Sequence, residues 1–164
     1  MSIQYEKSSL LEALRSGALK GLDAHVIAFP SVSLKAANPK ETSPADIYEL
    51  LPHGNYYQHY ARSNKMAKPG THSVHPDTTG AGLPTVINFY CRIYPGNKVF
   101  PNDNPVLRSR WFTEIAGAMS ATRGIKSIHL KPIESCDIPA LNDFVKTYAL
   151  SGGGQPVIHV YGGE

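Results

Sequence analysis

The run from Thr85 to Ile93 constrains the fold more than any other segment, because it is apolar, β-branched or aromatic along nearly its whole length. Residues of these types favour β-strands. A strand with one solvated face alternates apolar and polar residues, whereas a nearly continuous apolar run is typical of a strand covered on both faces. We therefore predict a strand in the middle of a sheet that carries helices on both sides.

The second half of the chain alternates between helix and strand patterns. Apolar residues recur at helical spacing from Val106 to Thr122 and from Ile138 to Ala149. Strand patterns occupy Ile125–Leu130 and Val157–Tyr161. Such alternation favours an α/β domain with a mostly parallel sheet.

The first half of the chain predicts a second set of short elements. A buried strand is expected at His25–Phe29, and Ser9 followed by Glu12 has the capping-box pattern that begins a helix. The other predicted elements are an edge strand around Ile3–Tyr5, a helix over Ala45–Leu51 that resumes after a kink at Tyr56–Tyr60, and a strand at Thr71–Val74. The segment Ser31–Pro44 is a predicted loop of the length that often carries function.

Composition excludes several classes of protein. The chain has 164 residues and a net charge of +3, without a block of basic residues, so we do not expect a nucleic-acid partner. It has no signal-peptide pattern at Met1–Leu11 and no apolar run near the ~20 residues that a membrane helix requires. Cys91 and Cys136 lack CxxC spacing, which suits a reducing compartment but leaves one disulfide open. We expect one cytoplasmic domain over residues 1–164.

Several segments together resemble a stand-alone macrodomain of the phage or bacterial type. The family's first strand and turn commonly read I-x-Y-V-K-G-D-L-L, its hairpin L-G-T-x-S-V, and a central strand V-I-N-L-Y-x-Q. The corresponding segments, in chain order, are Ile3–Glu12, Asp23–Ile27, Ala45–Tyr60, Pro69–Val74, Val86–Gly96, Arg110–Phe112 and Ile158–Tyr161. The resemblance implies a three-layer αβα sandwich around a mixed, mostly parallel sheet, and a ligand of the ADP-ribose type.

The ligand-binding motifs of that family are largely replaced. Its Gly-Asp pair, whose Asp contacts the adenine, corresponds to Ser8 and Ser9, and its ribose-binding Asn falls at or near Pro30. Glycine lets backbone N–H groups approach a diphosphate, yet Ser31–Pro44 and Glu134–Pro139 contain none. The resemblance therefore implies a cleft of non-standard composition.

We predict that ligand contacts in this cleft come from loop hydroxyls, one lysine and the central strand. Asn88 interrupts an apolar run, so it either contacts a ligand or bridges backbone groups. The predicted ligand-binding residues are Ser9, Ser31, Ser33, Lys35, Asn88, Tyr90 and Ser135. No catalytic residue, metal site or cofactor is predicted.

Other chemically capable residues have simpler interpretations. His72 and His75 would face opposite sides of a strand and cannot bind one metal together. Acidic neighbours suppress the thiolate of Cys136. Tyr56, Tyr57 and Tyr60 beside basic residues could stack on bases, but at helical spacing they favour core packing. Asp103 or Asn104 is the expected N-cap of the main helix, where an anion could also bind.

Three functions follow from this pattern. The leading hypothesis is a protein that binds ADP-ribose or a related nucleotide-derived molecule. The alternative is a pseudo-macrodomain whose former cleft contacts a protein partner or a second copy. A third hypothesis, an ADP-ribosyl hydrolase, would need either an activated water beside the distal ribose or a lysine nucleophile, for which Lys35, Lys40 and Lys131 are the candidates.

Overall fold

A computed structural model describes residues 3–21, 23–33, 45–94, 98–119, 122, 124–133, 138–150, 152 and 154–162. The strands are β1 (Ile3–Glu6), β2 (Ala24–Ala28), β3 (Thr71–His75), β4 (Thr85–Tyr90), β5 (Ser127–Leu130) and β6 (Val157–Tyr161). The helices are α1 (Leu10–Arg15), α2 (Ala45–Leu50), α3 (Tyr56–Ser63), α4 (Pro105–Ala118) and α5 (Ile138–Leu150). A short 3-10 turn, Pro52–Gly54, joins α2 to α3.

The strands form one sheet in the order β1-β6-β5-β2-β4-β3. All neighbouring pairs are parallel except β3 and β4, which are antiparallel. The mixed, mostly parallel α/β sheet predicted from the sequence is therefore confirmed. The predicted position of β1 at an edge is also confirmed.

One face of the sheet packs against α4 and α5. Ile27, Ile87 and Phe89 point to this face and meet Phe112 of α4 and Phe144 of α5 in one buried cluster. This face carries the larger core, because five strands present an apolar residue to it.

The other face packs against α1, α2 and α3. Val26 and Val86 lie under Leu10 of α1, Tyr48 of α2 and Tyr57 of α3. The helices on the two faces and the sheet between them make the three layers of the predicted sandwich. None of the helices in the described part of the chain is long and apolar enough to cross a membrane.

Side-chain caps set the start of three helices. Ser9 accepts a hydrogen bond from the Glu12 N–H, and Asn55 accepts from the first turn of α3. Asn104 accepts from the Leu107 N–H and Pro105 occupies the first helical position, so α4 begins one residue before the predicted Val106. The capping residue of α4 is thus Asn104, one of the two predicted candidates.

Several predicted boundaries are wrong, and three of them illustrate the causes. The strand predicted over Thr85–Ile93 ends at Tyr90, and the strand predicted from Ile125 begins at Ser127. The Ile125 N–H donates to the Tyr148 hydroxyl instead of to a neighbouring strand. Helix α4 ends at Ala118, before the predicted Thr122.

Candidate functional site

The carboxyl ends of β1, β6, β5, β2 and β4 meet at one edge of the sheet, because these five strands are parallel. Ligands of open α/β sheets bind outside this edge. The segments that follow β2 and β4 remain hydrogen-bonded to each other beyond the ends of these strands. The Val32 N–H donates to the Arg92 carbonyl at 3.1 Å, and the Ser33 N–H donates to the Ile93 carbonyl at 3.0 Å. This paired extension is called the carboxyl edge below.

Arg92 lies buried at the carboxyl edge. Its Nε donates to the Phe29 carbonyl at 2.9 Å and its Nη2 donates to the same oxygen. Burial lowers the pKa of Arg92, but the pKa of an arginine starts so high that the guanidinium stays charged. The site therefore holds a fixed positive charge against the end of β2. Sequence analysis missed Arg92 as a site residue, because its signal is a single charged residue within an apolar run.

A buried ion pair supports the other side of the carboxyl edge. Arg108 Nε and Nη2 donate to the two carboxylate oxygens of Asp103 at 2.7 and 2.8 Å. Asp103 Oδ2 also accepts the N–H groups of Ile93 and Tyr94, at 3.1 and 2.8 Å. Asp103 and Arg108 thus hold the chain that follows β4 in place.

Ser31 and Ser33, both predicted to bind ligand, are buried at the carboxyl edge. The hydroxyl of Tyr57 accepts the Ser31 N–H at 3.1 Å and lies 3.1 Å from the Ser31 hydroxyl. The Tyr56 hydroxyl donates to the Val32 carbonyl at 2.7 Å. The two tyrosines are thus core residues, as the helical spacing suggested, and they fix the backbone of residues 31 and 32.

Asn88 and Tyr90 both make internal hydrogen bonds. The Tyr48 hydroxyl donates to Asn88 Oδ1 at 2.7 Å, and Asn88 Nδ2 donates to the Gly54 carbonyl at 2.9 Å. The Tyr90 hydroxyl lies 2.6 Å from Ser73 Oγ. The bridging interpretation of Asn88 accounts for its complete burial. Tyr90 also packs against Tyr56, with ring centroids 5.0 Å apart.

The fold brings only some of the predicted ligand residues together. Ser31, Asn88 and Tyr90 surround one tyrosine cluster under the carboxyl edge, whereas Ser9 caps α1 after the edge strand β1. Lys131 is exposed directly after β5. Lys35, Lys40, Ser135 and Cys136 lie outside the described residues, as do most of the two loops predicted to bound the cleft.

His72 and His75 lie on β3 as their spacing predicted, whereas Cys136 lies outside the described residues. His75 Nε2 lies 2.7 Å from Ser73 Oγ on the face that carries α3, and His72, an odd number of residues away, faces the opposite side. The described residues contain no group of three side chains able to hold a metal ion. Cys91 is a buried free thiol, and burial raises its pKa to about 12, so it stays protonated.

A second concave region was missed from the sequence. His129 of β5 and His159 of β6 stack in parallel with ring centroids 4.5 Å apart. They lie at one register position of the sheet and line a groove of about 500 Å³ beside α1. The alternation of Ser127, His129, His159 and Tyr161 with apolar residues indicated a polar face on each strand. Only the strand pairing shows that these two faces are adjacent.

No family model matches the chain, and no curated protein matches it. A crystal structure of three main domains of nonstructural protein 3 from a coronavirus is similar at a TM-score of 0.43 and 11% sequence identity. The similarity covers 98% of this chain and 33% of that one, so the chain spans about a third of that structure's length. The α/β fold described above rests on the strand order and the helical layers, independently of this similarity.

Proposed function

We propose that this chain is a macrodomain-like binding protein for ADP-ribose or a related nucleotide-derived anion, which it holds at the carboxyl edge. The observation that carries the proposal is the buried positive charge of Arg92, fixed by two hydrogen bonds to the Phe29 carbonyl. The sequence resemblance to macrodomains supplies the ligand class. We also propose that residues 1–164 form one such domain.

The electrostatics of the carboxyl edge favour an anion. Arg92 and Arg108 place two buried guanidinium groups here, and Arg108 forms an ion pair with Asp103. Two unit charges about 6 Å apart interact by roughly 3 kcal/mol at an intermediate dielectric, so a guanidinium at this position attracts a diphosphate group. This charge would replace part of the binding free energy that glycine-rich loops provide in macrodomains.

Rigidity of the carboxyl edge supports the same proposal. The hydroxyls of Tyr56 and Tyr57 hold residues 31 and 32, and Asp103 holds residues 93 and 94. A site that is fixed before the ligand arrives loses less conformational entropy on binding. In this proposal Ser31, Asn88 and Tyr90 position the backbone of the site, and ligand contacts come from the loops that leave the carboxyl edge.

Isothermal titration calorimetry with ADP-ribose, ADP, NAD and adenosine tests the proposal. We expect heat with ADP-ribose and ADP, and weaker heat with adenosine, because the two phosphates supply the charge that Arg92 attracts. The absence of heat with ADP-ribose and ADP at millimolar concentration would contradict the proposal.

A protein-interaction module without nucleotide binding is the second candidate. Asn88 and Ser31 were predicted ligand contacts, but their side chains make hydrogen bonds within the protein. Asn88 bonds to Tyr48 and Gly54, and Ser31 bonds to Tyr57. This candidate predicts no binding heat with any of the four ligands. It also predicts either a sedimentation coefficient that rises with protein concentration or a specific protein partner. A monomer that binds ADP-ribose would eliminate it.

A further inference from the structure

A third concave region lies at the opposite end of the sheet from the carboxyl edge. It is enclosed by the end of α1 and the turns after it, by the end of α2, and by the loop before β4. Strands β2 and β4 begin beside it, at Ala24 and Thr85. A strand rises about 3.3 Å per residue, so the five residues of β2 separate this region from the carboxyl edge by roughly 16 Å. We call it the amino-end pocket.

The interior of the amino-end pocket is apolar. Its buried lining residues are Leu19, Leu51 and Pro84, and its half-buried ones are Leu14, Leu50 and Leu83. No aromatic side chain of the described residues lines it, so the lining offers no ring face for stacking. The volume is about 210 Å³. An apolar cavity of about 150 Å³ holds benzene, so this pocket has room for an apolar chain of about six carbons.

Hydrogen bonds fix the loops that enclose the amino-end pocket. The Gly21 N–H donates to the Gly82 carbonyl at 3.0 Å, which ties the turn after α1 to the loop before β4. In that loop the Leu83 N–H donates to Asp77 Oδ2 at 3.1 Å, and His53 Nε2 lies 2.8 Å from the Pro84 carbonyl. The pocket is therefore formed before a ligand arrives, which reduces the entropy lost on binding.

Two cationic side chains complete the lining of the amino-end pocket. Arg15 is the last residue of α1 and Lys20 lies in the turns that follow, and both are exposed. Among the described residues neither of them forms an ion pair with a carboxylate. Guanidinium and ammonium groups both bind carboxylates through charge-assisted hydrogen bonds. The pocket thus combines an apolar interior with a cationic rim.

The helix ends at the amino-end pocket act against an anion, but more weakly. The carboxyl ends of α1 and α2 lie here, and each helix end carries about half a negative charge, which falls off within one turn. Arg15 and Lys20 carry two whole charges. Asp77 does not line the pocket, and its carboxylate accepts hydrogen bonds from Thr79 and Leu83. The charges that line the pocket therefore favour an anionic head group.

We propose that the amino-end pocket binds an aliphatic carboxylate of about six carbons, with its chain among the leucines and its head group at Arg15 and Lys20. The probe for this site is hexanoate. The site is separate from the carboxyl edge, so this proposal and the proposed nucleotide binding can fail independently of each other.

NMR of the leucine methyl groups measures the affinity and locates the probe. A Leu83→Met variant assigns the Leu83 methyl signals by their disappearance, because this substitution nearly conserves volume. We expect millimolar hexanoate to shift those signals. Hexan-1-ol and hexylamine share the chain but not the negative charge, and they should bind at least about tenfold more weakly. Hexanoate that leaves the Leu83 signals unmoved, or an alcohol or amine that binds as tightly as hexanoate, would overturn the proposal.

The length of the chain tests the apolar interior. Each methylene group that moves from water into apolar surroundings tightens binding about threefold to fourfold, so hexanoate should bind roughly tenfold more tightly than butanoate. Saturating ADP-ribose should change the dissociation constant of hexanoate by less than about twofold, because the two sites lie at opposite ends of the sheet. Equal dissociation constants for the two carboxylates, or displacement of hexanoate by ADP-ribose, would contradict binding in this pocket.

A matched pair of double variants tests the cationic rim. Arg15→Gln with Lys20→Gln removes both rim charges, and Arg62→Gln with Lys65→Gln removes two exposed charges that do not line the pocket. We expect the rim variant to raise the dissociation constant of hexanoate about tenfold or more and that of hexan-1-ol less than about twofold. The control variant should change both by less than about twofold. Equal losses of hexanoate binding in the two variants, or equal losses of acid and alcohol binding in the rim variant, would overturn the proposal.

Discussion

The Tyr48 hydroxyl donates to Asn88 Oδ1 at 2.7 Å, and this contact joins α2 to the middle of the sheet. Asn88 is completely buried, so removing its partner leaves an unpaired acceptor in the core. We expect Tyr48→Phe to lower the free energy of unfolding by about 1–3 kcal/mol. Urea denaturation measures the change, with Tyr5→Phe, at a largely exposed tyrosine, as the control. Equal effects of the two variants would show that the Tyr48–Asn88 contact contributes nothing.

Gly54 is required by the close approach of the 3-10 turn to β4. A Cβ at this position would clash with the Cβ and both methyl groups of Val86. We expect Gly54→Ala to destabilise the protein by about 1–3 kcal/mol through overpacking. Gly117→Ala, in a helix with space for a Cβ, should instead stabilise by about 0.5–1 kcal/mol. Thermal unfolding of both variants measures the two changes, and equal melting temperatures for Gly54→Ala and the wild type would contradict the account of this contact.

The buried Asp103–Arg108 pair predicts a large loss on neutralisation of one partner. Asp103→Asn leaves the Arg108 guanidinium with a weaker acceptor in a dry site, and we expect a loss of about 3–5 kcal/mol. The exposed Asp23–Lys126 pair is the matched control, because its charges are solvated. Asp23→Asn should cost less than about 1 kcal/mol. A comparable loss in both variants, measured by urea denaturation, would contradict this account of the carboxyl edge.

His129 predicts a dependence of stability on pH. Burial lowers its pKa to about 4 from 6.5, so between these values the unfolded chain binds a proton that the folded chain excludes. The free energy of unfolding is therefore full above pH 6.5 and falls as the pH decreases towards 4. From pH 7 to pH 5 the contribution of His129 is about 2 kcal/mol. The lowered pKa values of His25, His72 and His75 act in the same direction.

Urea denaturation at pH 7 and pH 5 tests the assignment to His129. The His129→Asn variant should lose less stability over this interval than the wild type, although it is less stable at pH 7. The same pH-dependent loss in variant and wild type would remove His129 as its source.

The sequence predicts the layered fold well because each element carries a local signal. Val157–Tyr161 is predicted with its observed bounds, and the cap at Ser9 is observed as expected. Strand β4 was predicted too long because Arg92 and Ile93 lie in an apolar run. In the folded chain their carbonyls accept from Val32 and Ser33, in an extension beyond the regular ladder. That pairing depends on residues about 60 positions apart and leaves no local pattern.

The candidate site was less predictable than the fold. Tyr48, which satisfies Asn88, lies 40 residues earlier in the chain, and Tyr57 lies 26 residues beyond Ser31. From the sequence alone a buried polar residue and a ligand contact have the same pattern, because both place a hydrogen-bonding group in an apolar segment. The stack of His129 on His159 likewise requires the order of β5 and β6.

The affinity of the Arg92→Met variant for ADP-ribose, measured by isothermal titration calorimetry, tests the central claim most directly. Arg62→Met, at an exposed arginine of α3, removes the same charge elsewhere and is the control. Circular dichroism first establishes that both variants are folded. The account predicts that the dissociation constant rises about tenfold or more in Arg92→Met and less than about twofold in Arg62→Met. Folded Arg92→Met protein that binds ADP-ribose as tightly as the wild type would contradict it.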